Sequence, residues 1–155
     1  MEPSIITREK MLLVGLVETG QKIGDIDICG LWNSFEKYMF EIENSSTELG
    51  YELHQDIPGG QNGAPRHCCL VAVEVSEIGA VPDECFVKVV PAGRYAVFTH
   101  QFKDGTYGQA FKMAYDWLED SDLSLAHQFD IQVFDENFKG AGDPDSRMEI
   151  YIPVR

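Results

Sequence analysis

The residues best suited to chemistry in this 155-residue chain lie in its closing segment, Arg147-Met148-Glu149-Ile150-Tyr151-Ile152-Pro153-Val154. It is an apolar, β-type run with one carboxylate set inside it. An isolated ionised carboxylate in a low-dielectric setting is strongly unfavourable, so Glu149 either has a partner within the protein or meets a cation from outside. Period-2 alternation puts Glu149, Tyr151 and Pro153 on one strand face and Ile150, Ile152 and Val154 on the other, against a core. A fixed negative charge beside π-faces suits an apolar organic cation, each cation–π contact contributing about 0.5–2 kcal/mol. The competing reading pairs Glu149 with Arg147, Arg94 or a tyrosine hydroxyl and leaves Tyr151 to cover a sheet edge. A carboxylate so placed could also serve as general base or nucleophile, assisted by Tyr95, Tyr107 or Tyr151. That keeps a small hydrolase acting on a reactive electrophile as the alternative.

Other chemistries find less support. There is no G-x-S-x-G elbow, no Gly-rich phosphate loop opening a helix, and no Cys/His dyad. Cys29, Cys68, Cys69 and Cys85 have neither zinc-site nor disulfide spacing, and read as free buried thiols. His54, His67, His100 and His127 are scattered, so neither a metal site nor a cofactor is implied. Lys plus Arg number 12 against 26 Asp plus Glu, a net charge of −14. Such a surface repels phosphate backbones, which argues against direct nucleic-acid binding. No apolar run reaches the ~20 residues needed to cross a bilayer, and the N-terminus lacks the basic and apolar regions of a secretory signal. The expectation is a cytoplasmic protein with no membrane partner.

The elements that must position Glu149 follow from periodicity. Met11 to Val17 reads as a strand. Ile28, Leu31, Trp32, Phe35, Met39 and Ile42 recur at helical spacing, with Asp25 or Asp27 to cap them. Tyr51–His54 and Cys69–Val75 read as strands flanking a flexible Pro58-Gly59-Gly60 hairpin loop. Phe86–Val90 and Arg94–His100 are further strands, and Thr106 with Gln109 makes a capping-box signature. Tyr107, Ala110, Phe111, Ala114 and Leu118 then share a helix face, with Trp117 beside that stripe. Phe129–Phe134 and Met148–Val154 close the chain.

The two halves superpose in pattern at a shift of 79 residues: Ile28 meets Tyr107, Trp32 meets Phe111, and Leu70 meets Glu149. Each half reads as strand, helix, hairpin, and neither is large enough for a core of its own. One pseudo-symmetric α+β domain over 1–155 is expected, with repeats at about 4–78 and 85–155. In this alignment Glu149 and Tyr151 stand where the first half has Leu70 and Ala72. On helix faces, Trp32, Phe35, Tyr107 and Phe111 suit core packing better than ligand contact. Tyr95 and Phe98 fall on opposite strand faces, so at most one of them points into a given cleft.

These same residues carry a family resemblance. Trp32 with Phe35, Val90-Pro91-Ala92-Gly93-Arg94-Tyr95-Ala96-Val97-Phe98, Tyr115-Asp116-Trp117-Leu118, Phe134-Asp135-Glu136-Asn137-Phe138 and the closing strand resemble the GyrI-like small-molecule-binding proteins. Those share their fold with the effector-binding domains of AraC-type and MerR-type multidrug-responsive regulators. The resemblance covers residues 4–155. It implies a duplicated strand–helix–strand–strand, pseudo-twofold antiparallel sheet with two long helices and a ligand cleft between the halves. It also implies bulky, amphipathic and often cationic ligands, with Glu149 as the acidic determinant. Trp32, Tyr95, Phe98, Phe111 and Tyr151 are implied as aromatic lining, with Phe35 and Tyr107 as further candidates. No helix-turn-helix precedes the domain, so the stand-alone form is expected. The partners it leaves open are a second copy of the chain, a regulator, or an enzyme that it would modulate; some stand-alone members hydrolyse electrophiles.

Overall fold

The computed structural model describes residues 1–155. The chain divides into a first unit, Lys10–Pro91, and a second unit made of Met1–Glu9 with Ala92–Arg155. These boundaries differ from those of the sequence repeat, because the strand at each edge is contributed from outside the repeat it joins. No helix is long and apolar enough to cross a membrane.

In the second unit, β1 (Ser4–Arg8), β6 (Gly93–Gln101), β8 (Arg147–Val154) and β7 (Phe129–Phe134) lie side by side in that order. All neighbours are antiparallel. The helix α2 (Tyr107–Asp120) begins at the expected capping box: Gln109 N–H donates to Thr106 Oγ1 (3.3 Å) and Thr106 N–H to Gln109 Oε1 (2.8 Å). Two of the otherwise unpaired donors of its first turn are thereby satisfied. Ala110, Ala114 and Leu118 form its buried face. Trp117 packs edge-on against Phe98, ring centres 5.5 Å apart.

The first unit repeats the arrangement with β3 (Ser45–Ile57), β4 (Arg66–Val75), β2 (Met11–Gly20) and β5 (Phe86–Val90) in order. These neighbours are again antiparallel. Its helix α1 (Ile28–Met39) is capped by Asp27, whose carboxylate accepts from Gly30 N–H at 2.9 Å. Leu31 and Phe35 are buried against Val14, Val71 and Val73. Each such fully buried side chain contributes about 1.5–3 kcal/mol. The helix ends at Met39, one turn before the periodicity suggests. Ile42 still reaches the core, from a turn that Asn44 closes in the left-handed region (φ 62). At the centre of β2, Gly15 is required by close approach: a Cβ there would lie 1.7 Å from the Val71 carbonyl oxygen.

The thiols are free, but only Cys69 is buried; Cys68 and Cys85 are half-buried and Cys29 is exposed. The expectation of four buried thiols is corrected accordingly, because Cys29 lies on the outer side of α1.

Candidate functional site

Strand β8 is the centre of the second unit, so its register decides what surrounds Glu149. Glu149 lies opposite Thr99 on β6 and Val133 on β7, and Tyr151 opposite Val97 and Ile131. Ile150 and Ile152 are fully buried on the α2 side, as the alternation requires. Glu149 is half-buried and Tyr151 is 9% exposed.

The internal partner of Glu149 is a phenol. Tyr151 O–H donates to Glu149 Oε2 at 3.1 Å, while Arg147 goes instead to Asp135, Nη2 to Oδ2 at 3.0 Å. Tyr95 joins the same face, its ring centre 6.2 Å from that of Tyr151, and the Arg8 guanidinium lies 5.7 Å from the Tyr151 ring centre. Burial raises the Tyr151 phenol above its ordinary value, helped by the Glu149 charge and hydrogen bond and opposed by Arg8. Burial likewise raises Tyr95. A half-buried carboxylate, two protonated phenols and a guanidinium over one ring therefore make up the Glu149 face. Its chemistry suits a cation with aromatic surface.

Phe98 points to the other side of the sheet, against Trp117. Tyr107 lies in a separate aromatic group, 4.8 Å from Phe102, whose ring is also 5.0 Å from His100 and 5.7 Å from Phe138. Phe111 is half-buried on α2. Trp32 and Phe35 belong to the first unit, where Phe35 is fully buried and the two rings are 6.1 Å apart. Glu149, Tyr151 and Tyr95 are thus the sequence candidates that the second unit brings together. A cavity of about 400 Å³ in the same unit is lined by Arg94, Tyr95, His127, Pro153 and Arg155. Glu149 does not line it, and two guanidinium groups make it a poor seat for a cation.

The first unit holds a second polar cluster, absent from the sequence reading. Glu52 is 6% exposed, accepts from Trp32 Nε1–H at 2.6 Å, and meets His54 Nε2 at 3.2 Å. His54 in turn meets His67 at 2.9 Å, and His67 meets Asp56 at 3.3 Å. Glu52 and His54 alternate on β3, and antiparallel pairing sets His54 opposite Cys69, next but one to His67. The signal available in the sequence was Glu52-x-His54 within a strand. The cross-strand partner depends on register, which spacing alone does not supply. On the opposite face, Tyr51 O–H donates to Glu74 at 2.9 Å and Lys88 Nζ to Gln55 at 3.1 Å.

The model of the GyrI-like small molecule binding domain matches residues 1–155. The transcriptional regulator BrlR of Pseudomonas aeruginosa is 30% identical over 156 residues, covering 99% of this chain and 56% of the regulator. The chain therefore spans little more than half of that relative. Among solved structures, SAV2435 bound to tetraphenylphosphonium aligns at TM-score 0.71 and 17% identity, over 100% of this chain and 94% of that one. The EcmrR C-terminal domain aligns at TM-score 0.70 and 14% identity, over 99% and 97%. At such identities the two structures establish a shared fold.

Proposed function

We infer that this chain, which belongs to the GyrI-like small-molecule-binding family, binds amphipathic organic cations at the Glu149 face of its second unit. One observation carries the reading: Glu149 is half-buried and is matched by a neutral phenol, while the nearby Arg147 is committed to Asp135. A phenol donor brings no formal positive charge to oppose a ligand cation. The Tyr151 and Tyr95 rings supply the aromatic surface. Arg8 occupies the position over Tyr151 that a ligand cation would take, so it acts as an internal competitor. SAV2435, with the same fold, was solved with a lipophilic cation bound, which makes tetraphenylphosphonium the first probe. The regulator relatives favour transmission of that binding to a DNA-binding partner.

Calorimetric titration with tetraphenylphosphonium and with neutral triphenylphosphine oxide tests it. The cation should bind and the neutral compound bind far more weakly. Glu149→Gln should weaken cation binding roughly ten- to hundredfold, the equivalent of about 1.5–3 kcal/mol for a charged contact, with the unliganded melting transition retained. Arg8→Gln should tighten it several-fold. Equal binding of both compounds, unchanged in Glu149→Gln, would sink the reading.

A further inference from the structure

We propose that Glu52, His54, His67 and Asp56 form a relay that holds one shared proton and carries it between a buried carboxylate and the surface, setting the charge that Trp32 meets. It concerns the first unit and stands whether or not Glu149 binds a cation. The bonds run in series: Glu52 Oε2 to His54 Nε2 at 3.2 Å, His54 Nδ1 to His67 Nε2 at 2.9 Å, and His67 Nδ1 to Asp56 Oδ1 at 3.3 Å. Each bond uses one proton. Two neutral imidazoles bring one each, and ionised carboxylates bring none. Three bonds therefore need one proton more than the neutral rings supply.

That third proton has four places that leave every bond intact. The outermost is Asp56, whose carboxyl then donates to His67 Nδ1, while His67 Nε2–H donates to His54 Nδ1 and His54 Nε2–H to Glu52. On Glu52, the carboxyl donates to His54 Nε2, His54 Nδ1–H to His67 Nε2, and His67 Nδ1–H to Asp56. Transfer to His54 breaks the Glu52 O–H bond and forms the His54 Nε2–H bond, giving an imidazolium that donates both ways. Transfer onward breaks His54 Nδ1–H and forms His67 Nε2–H, giving a His67 imidazolium between a neutral His54 and Asp56. Only protons move, each along a hydrogen bond already made. When the proton is lost, one bond must lapse, and the longest is also the outermost.

Burial gives the relay its direction. The side chains of Glu52 and His54 are 8% and 5% exposed, against 16% for His67 and 63% for Asp56. Water can replace Asp56, whereas Glu52 and His54 are largely screened from it. The two imidazoles meet edge to edge, centres 5.2 Å apart, 30° between planes and 2.9 Å between the facing nitrogens, so the shared N–H lies near both ring planes. The inner end is tied by Trp32 Nε1 to the other Glu52 oxygen at 2.6 Å, so the indole feels directly whether Glu52 is ionised. Other ionisable groups on elements packed over this face are Cys69, whose Sγ is 3.9 Å from His54 Nε2, and Glu18 opposite it on β2. The half-buried Tyr38 on α1 and Cys85 pack against the same cluster. Asp25 in the short turn beside α1, and Glu36 and Lys37 on α1, are exposed.

Trp32 fluorescence in the full chain, recorded against pH in a Trp117→Phe background, reads the inner end of the relay, and ¹⁵N NMR of the imidazoles reads its middle. The expected result is one fluorescence step coinciding with a joint change of the His54 and His67 ring signals, with net uptake of one proton. His67→Gln keeps hydrogen bonding but cannot pass a proton, so it should abolish the step or move it by about one pH unit or more. Asp56→Asn, at an exposed position that folding tolerates, should move it in the same sense by less. Separate titration of the two rings with uptake of two protons would overturn the proposal. So would a Trp32 step that is the same in wild type, His67→Gln and Asp56→Asn.

Discussion

In the first unit, β4 runs between β3 and β2 with Leu70 opposite Leu53 and Val17; in the second, β8 runs between β7 and β6 with Glu149 opposite Val133 and Thr99. Two residues on, Ala72 lies between Tyr51 and Gly15, whereas Tyr151 lies between Ile131 and Val97. Both units therefore place one tyrosine at the middle of this face, but from different strands. Tyr51 reaches out from β3, over a centre kept small as Ala72 and Gly15, to bond Glu74. Tyr151 rises from the central strand itself to bond Glu149. The same phenol–carboxylate bond is thus built twice, and only in the second unit does the carboxylate replace the apolar residue at the strand centre. The helix-facing sides differ more. Where the first unit has Trp32, Glu52, His54 and Cys69, the positions matched in the second by strand register (for Trp32, by the shift of 79) hold Phe111, Gln132, Phe134 and Met148. The first seam links a carboxylate to two imidazoles; the second has a carboxylate–phenol bond, Asp130 with Tyr115.

The largest effect should come from making the first seam resemble the second. Trp32→Phe removes the donor to Glu52 Oε1 and leaves a buried carboxylate oxygen without it. A hydrogen bond to a charged group is worth about 1.5–3 kcal/mol, and that loss should appear in urea unfolding as a lower midpoint at unchanged slope. A loss below about 0.5 kcal/mol, the range of an ordinary surface change, would mean that Glu52 does not depend on the indole and that the two seams differ in name only.

A smaller effect of opposite sign is expected in the second seam. Gln132 is 4% exposed and its Oε1 accepts no hydrogen bond. Gln132→Met keeps the chain length and removes the unsatisfied group, so stability should rise by about 1 kcal/mol. Destabilisation by Gln132→Met would show that the amide is paired in solution.

Most of the fold was legible because it follows from local periodicity. The capping box at Thr106, the Asp27 cap and the alternation of the closing strand involve residues within a turn or two of each other. β1 was missed because Ser4–Arg8 is short, mixed in polarity and defined by its pairing with β6. The extent of β3 was underestimated because its register shifts between Ser46 and Tyr51, which breaks the alternation. The Glu149 face was half legible: alternation puts Glu149 with Tyr151, but Arg8 joins them only through the β1–β6 pairing. Of the Glu52 cluster only Glu52-x-His54 is visible in the sequence, since His54 and His67 look scattered until an antiparallel register brings their rings together.

The finest test of the comparison is the phenol of Tyr151. Burial raises it, and the charge and hydrogen bond of Glu149 raise it further, while Arg8 pulls the other way. A phenol whose folded value lies above the ordinary value of about 10 binds its proton more tightly in the folded chain. Its contribution to stability is therefore complete below about pH 10 and is lost as pH rises through the folded value. Glu149→Gln removes the charge and leaves burial, so the phenol should fall toward the ordinary value without reaching it. Arg8→Gln should shift it upward. The phenolate absorbance, with Tyr151 identified by difference from Tyr151→Phe, follows both changes. Tyr115 serves as the control within the same unit, being raised by burial and by Asp130, to which it donates at 2.9 Å. It should ignore the change at position 149. If Tyr151 ignores it too, the Tyr151–Glu149 bond does not persist in solution, and Glu149 would then be a lone carboxylate rather than the counterpart of Glu74.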